Sequence, residues 1–189
     1  IDLLKDRMFK PESGTGIPQF TRDWTPAPQI KFDIVWGWDR FSDQGVKTNP
    51  LDNTSYGHNV EFAWLLLEAL EVLEQDSHAV DSLIGRAFEH ARRYGIDYDC
   101  GGVFVEGSHD GPATDLEKEF WQQAELMNGL LTAYLHWHDD RYLRDYETVH
   151  NFVMEKMINH ETGEWWPLLS REGKPIWTHM SHSWKVNYH

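Results

Sequence analysis

Residues 55–73 read Ser55-Tyr56-Gly57-His58-Asn59-Val60-Glu61-Phe62-Ala63-Trp64-Leu65-Leu66-Leu67-Glu68-Ala69-Leu70-Glu71-Val72-Leu73, and their periodicity decides the fold class. Val60, Trp64, Leu67 and Leu70 recur at helical spacing with Ala63 and Leu66 beside them, which predicts a helix over 56–73. Ser55 stands where an N-cap belongs. The apolar face is wide, as expected of a helix packed on more than one side. Residues 76–94 predict a second helix, closed by Gly95 in the manner of a C-cap.

The same pattern then returns. Residues 116–137 and 140–157 predict a third and a fourth helix. Gly101 to Val105 reads as a short strand or hairpin between the pairs, and Gly163 to Pro167 holds the equivalent place after the second. An offset of 64 superimposes Glu61 on Glu125, Leu66 on Leu130, Leu67 on Leu131 and Asp81 on Asp145. This is a weak internal repeat of an α-hairpin followed by a loop. Leu3 to Phe9 reads as the tail of an earlier helix, and Pro11-Glu12-Ser13-Gly14 echoes His160-Glu161-Thr162-Gly163. Between them, residues 10–54 are too rich in proline for helix, and Gly16 to Thr21 is expected to pair with Gln29 to Trp36 as a hairpin. Repeated α-hairpins build either a solenoid or a closed ring of helix pairs, the α/α toroid.

Composition limits the partners. The 189 residues suffice for one domain with a substantial core. Seventeen basic against 31 acidic residues give a formal charge of −14, which opposes binding to nucleic acid or anionic membrane surfaces. No apolar run approaches the roughly 18 residues a membrane-spanning helix requires. Cys100 is the single cysteine, which excludes an internal disulfide and fits a cytoplasmic location. Ten tryptophans are unusual: they serve either a core of large rings or a cleft for ligands with flat apolar faces, such as sugars.

Polar and aromatic residues cluster where inner helices of a toroid would begin. The first cluster is Ser55 to Glu61 with Trp64, and the second is Phe120-Trp121-Gln122-Gln123-Ala124-Glu125. The third is His182-Ser183-Trp184-Lys185-Val186-Asn187-Tyr188-His189, preceded by Trp177 and His179. Inner helices of a toroid run the same way, so these ends would gather at one mouth. His58 and Glu61 are three apart and share a helix face, as do Glu61 and Trp64, and Trp121 and Glu125 four apart. A carboxylate beside an imidazole raises its basicity and selects its tautomer, as a proton-transfer histidine requires. Taken singly, a pair such as His58 and Glu61 is more often a surface pair or a satisfied core group, and tryptophans such as Trp121 and Trp184 are more often core residues than sugar platforms. A metal would need two further ligands, and none stands at a recognised spacing.

The motif Ser55-Tyr56-Gly57-His58-Asn59-Val60-Glu61 with Trp64-Leu65-Leu66 resembles the signature of the N-acylglucosamine 2-epimerase family, in its cellobiose/mannobiose 2-epimerase branch. Trp121 with Glu125, and Trp184-Lys185 leading to His189, match that family's later motifs in the same order, so the resemblance runs through the chain. It departs at Asn59, where the branch commonly has an acidic residue. The resemblance implies an all-α fold of (α/α)6-barrel type, with residues 1–189 forming a single partial barrel domain, the C-terminal half of an epimerase-like protein. It implies a sugar 2-epimerase that inverts C2 of a reducing-end aldose through an enediolate, with His58 and His189 as the acid/base pair and Glu61 tuning His58. Trp64, Trp121, Glu125 and Trp184 would bind the sugar, and neither metal nor cofactor is needed. Two alternatives accompany it: an aldose–ketose isomerase of the same family, and a non-catalytic sugar-binding fragment. A glycoside hydrolase on an α/α toroid is a third, requiring a spaced pair of carboxylates. A half-ring would also expose inner-helix apolar surface, which is expected to drive association into homo-oligomers.

Overall fold

The computed structural model describes residues 2–27, 53–181 and 185. Two helix pairs form its body. Helix α1 (Tyr56–Val72) pairs with α2 (His78–His90), and α3 (Phe120–Trp137) pairs with α4 (Asp140–Phe152). α1 also packs along α3, so these two form the inner row, each backed by its own partner. The inner row is apolar: Val60, Ala63, Leu66, Leu67 and Leu70 of α1 meet Leu126, Leu130 and Ala133 of α3 in one buried cluster. The backing helices close that cluster with Val80, Ile84 and Phe88 from α2 and Tyr142 and Val149 from α4. Of the tryptophans, Trp137 packs on Phe88 and Tyr142, and Trp165 and Trp166 pack on a second cluster built from Phe120, Phe152, Val153, Met157 and Leu169.

The internal repeat is physical. α1 and α3 begin at Tyr56 and Phe120, the offset of 64 found in the sequence. α2 and α4 each run into a π-helical turn, Ala91–Gly95 and Val153–Met157, and then into an isolated bridge, Ile96 with Val103 and Ile158 with Trp165. Each inner helix is launched from a short strand whose last residue is extended. β3 (Asn53–Ser55) leads into α1 with Ser55 at φ −88°, ψ 127°, and β6 (Lys118–Glu119) leads into α3 with Glu119 at φ −86°, ψ 143°.

The small strands differ from the expectations. Gly101 to Val105 is not a strand: Gly101 and Gly102 sit at φ +83° and +77°, a turn that only glycine takes without strain. The strands follow it as β4 (Glu106–Ser108) and β5 (Ala113–Asp115), and β3, β4 and β5 form one antiparallel sheet in that order. The third helix starts at Phe120 rather than 116, because Lys118 and Glu119 pair with β7 (Leu168–Leu169). That strand lies beyond residues 163–167, where the sequence places it. Near the N-terminus, β2 (Thr15–Gly16) pairs with β1 (Phe9–Lys10). The expected partner, Gln29 to Trp36, lies outside the described residues. Among the described residues no helix is long and apolar enough to cross a membrane.

A buried ion pair locks β6 in place. Lys118 and Asp97 have side chains 0% and 1% exposed and lie 3.1 Å apart. The ammonium uses all three donors, on Asp97 Oδ2 and the backbone carbonyls of Gly101 and Arg171, and sits 4.4 Å from the Phe152 ring centre. Arg171 adds a fork, Nε to Asp97 Oδ2 at 2.8 Å and Nη2 to Oδ1 at 3.0 Å. Burial alone would raise the Asp97 carboxyl, but hydrogen bonds from Arg171, the Cys100 amide and Lys118 outweigh it and hold it well below the usual carboxylate range. A depressed carboxylate contributes stability above its unfolded pKa of about 3.9 and loses that contribution as pH falls through the folded value. Lys118→Met is therefore expected to destabilise the chain by about 3–5 kcal/mol at neutral pH. Urea unfolding followed across pH 2–7 should give the variant a shallower acid limb than the parent; equal limbs would exclude the pair as a source of acid sensitivity.

Candidate functional site

Parallel packing of α1 and α3 brings their N-terminal ends together, and the polar-aromatic clusters meet there. The imidazole of His58 lies against the indole of Trp121, with ring centroids 4.5 Å apart and planes at 60°. Ser55 caps α1 by accepting the His58 amide at 3.3 Å, and the same Oγ lies 2.9 Å from His58 Nδ1. The serine expected as a helix cap thus also engages the ring of the candidate proton-transfer residue. Glu61 is half-buried one turn further along, and Trp64 follows on the same face. Trp64 Nε1 donates to Glu125 Oε2 at 2.8 Å, so one helix orients the other's side chain. Glu125 is only 5% exposed. His58, Trp64, Trp121 and Glu125 are therefore drawn together across the two inner helices. Trp184 and His189 lie outside the described residues. Their neighbour Lys185 places its ammonium 5.8 Å from the ring centre of Phe120, the first residue of α3.

Three residues to which the sequence reading gave no role in the site hold this arrangement. Gln122, 1% exposed, accepts the Gly57 amide at 3.0 Å through Oε1 and donates through Nε2 to Glu119 Oε2 at 3.1 Å. Glu119 Oε2 also accepts Trp121 Nε1 at 3.0 Å. Asn59 ties the first turn of α1 to β2, its Oδ1 accepting the Gly16 amide at 2.8 Å and the Thr54 hydroxyl at 3.1 Å. The departure from the family motif at Asn59 is thus met by a buried structural contact. The available signal for Gln122 was its place in the polar-aromatic cluster at the start of α3, since buried polar groups require partners. Nothing in the spacing marked Glu119.

Beneath the mouth, Tyr56 is fully buried and stacks on His90 with centroids 5.4 Å apart. Burial pushes the Tyr56 hydroxyl far above its ordinary pKa and pushes His90 down. Among the described residues no three His, Cys, Asp or Glu side chains are grouped so as to hold a metal ion.

Two helix pairs whose inner helices start side by side, with a histidine, carboxylates and tryptophans at those starts, define the class as a repeated α/α architecture. The family model for N-acylglucosamine 2-epimerase (GlcNAc 2-epimerase) matches residues 1–189, and the chain belongs to that family. It is similar to the cellobiose 2-epimerase of Eubacterium cellulosolvens, 28% identical over 146 residues that make up 74% of this chain and 34% of that protein. It is similar also to the D-mannose isomerase of Marinomonas mediterranea, 28% identical over 133 residues, 70% of this chain and 33% of that one. The solved cellobiose 2-epimerase of Bacillus thermoamylovorans superimposes with a TM-score of 0.80 at 23% identity, covering 100% of this chain and 42% of that one. The (α/α)6-barrel class is thereby established over the solenoid. The chain spans about a third of the length of the curated relatives it matches.

The closeness of the two helix starts is testable at glycine. A Cβ on Gly57 would lie 2.6 Å from Gln122 Cγ and 2.9 Å from its Oε1, whereas one on Gly85 in α2 would meet nothing within 4 Å. Gly57→Ala should destabilise by about 1–3 kcal/mol through overpacking, against the helix propensity of alanine. Gly85→Ala should stabilise by about 0.4–1 kcal/mol. Thermal unfolding of both variants measures the contrast, and a neutral Gly57→Ala would mean that the helix starts are not in close contact.

Proposed function

We propose that this chain is the C-terminal part of a cytoplasmic sugar 2-epimerase that inverts C2 of a reducing-end aldose. The observation that carries the reading is the His58 imidazole held against the Trp121 indole at the mouth of the inner helices, within motifs of the epimerase family. Epimerisation at C2 requires ring opening, removal of the proton alpha to the aldehyde, and return of a proton to the opposite face of the enediolate. Two bases on opposite sides of one carbon accomplish this without redox change. Histidine suits the task, because an unperturbed pKa of about 6.5 lets it both take and give a proton near neutrality.

In this reading His58 and His189 are the acid/base pair. Because Ser55 Oγ engages Nδ1, Nε2 of His58 is assigned as the nitrogen that exchanges the proton. Glu61, one turn along the same helix, supports the charged imidazole and assists ring opening. Trp121 and Trp184 stack on sugar rings, Trp64 shapes the pocket, and Glu125, oriented by the Trp64 indole, holds a hydroxyl. The substrate class is a disaccharide of the cellobiose or mannobiose type, or an N-acylglucosamine.

A second reading rests on the similarity to a D-mannose isomerase. The same enediolate, reprotonated at C1 instead of C2, gives a ketose. Incubating the chain with cellobiose, mannobiose and N-acetylglucosamine in deuterated buffer separates these chemistries by NMR. The expected outcome is deuterium at C2 of both epimers, with the exchange falling about 10²- to 10⁴-fold in His58→Ala. A dominant ketose would establish the isomerase, binding without exchange would establish a sugar-binding module, and release of monosaccharide would establish a hydrolase.

A further inference from the structure

Glu119 occupies in the second repeat the position that Ser55 occupies in the first, the extended residue immediately before an inner helix. Ser55 spends its side chain on a helix amide. Glu119 makes no such cap. A carboxylate at this point is favoured by the helix dipole and would ordinarily accept backbone N–H groups. Instead one oxygen, Oε2, accepts two side-chain donors, the Trp121 indole at 3.0 Å and the Gln122 amide at 3.1 Å. The residue is 3% exposed, so those bonds form away from competing water.

Each donor leads to the proton-transfer candidate. Trp121 is the ring against which His58 rests, and Gln122 binds the amide of Gly57, the residue before His58. Gln122 lies close over Gly57, where an added Cβ would come within 2.6 Å of its Cγ. A single buried carboxylate therefore sets both the plane of the aromatic wall and the height of the opposing helix start. We infer that Glu119 is a positioning residue for His58, acting through Trp121 and Gln122 and not touching the sugar itself. The catalytic part of this inference rests on the epimerase reading given above; the geometric part does not.

The test uses the intact chain with Glu119→Ala, Glu119→Gln and Gln122→Met. The His58 ring resonances, assigned by their loss in His58→Ala, report the ring current of Trp121 directly. Glu119→Ala is expected to move those resonances and to lower kcat for deuterium exchange into cellobiose about 10- to 100-fold, the effect of slight misplacement of a reacting group. Glu119→Gln keeps an acceptor oxygen and should restore the wild-type shifts, with kcat within about threefold. Gln122→Met nearly preserves volume but severs the link to both Glu119 and Gly57, and should also move the His58 resonances, which keeps the test decisive if Glu119→Ala does not fold. A lowered Tm with unmoved His58 resonances in the variants that fold would overturn the inference, leaving Glu119 a structural residue only. Should the parent chain exchange no deuterium with any of the three sugars, the epimerase reading fails, and the His58 shifts still decide the positioning role.

Discussion

The N-termini of α1 and α3 approach so closely that the side chain of one helix caps the backbone of the other. An α-helix begins with four N–H groups that lack intrahelical partners. In α1, two of these are taken at the mouth, the Gly57 amide by Gln122 and the His58 amide by Ser55. The approach is available because residue 57 has no side chain, and because Gln122 is long enough to reach across and still bind Glu119. The helix starts are thereby held in register with one another, and the rings of His58 and Trp121 meet as a consequence. At the head of α3, the Phe120 amide is accepted by Pro167 O at 3.2 Å, from the segment that leads into β7.

The short strands hold the mouth from outside. β3 and β6 end where the inner helices begin, so their pairing with β4 and β7 fixes the direction in which each helix sets out. The Lys118–Asp97–Arg171 cluster anchors β6 from beneath, joining the loop after α2 to the loop after β7. Lys118 is thus a buried charge whose hydrogen-bond partners lie on two separate segments, immediately before Glu119, which accepts the Trp121 indole. Fold stability and site geometry share this small region.

Legibility in the sequence followed the range of the interactions. α1, with its serine cap, was readable because 3.6-residue periodicity and capping are local properties of the chain. The repeat was readable because Glu61 and Leu66 have counterparts 64 residues on. The start of α3 was misplaced because Lys118 and Glu119 locally favour helix, and their strand exists through Leu168 and Leu169, some fifty residues away. Gly101 to Val105 looked like a strand from its β-branched and aromatic residues, but the positive φ of the two glycines turns the chain there. For the site, the individual motifs carried His58, Glu61, Trp64, Trp121 and Glu125, whereas the bond between Trp64 and Glu125 crosses helices and has no sequence signature.

The amino-acid order alone settled the helix-pair architecture and the residue types gathered at the inner helix starts, because periodicity and caps act within a few residues of their origin. Only the tertiary structure decided which side chains touch. Glu119 holds Trp121, and Lys118 neutralises Asp97, because folding removes these carboxylates and the ammonium from water, where each must find a partner wherever the packed chain supplies one; Ser55 reaches the ring of His58 at the exposed mouth because both stand at the start of α1.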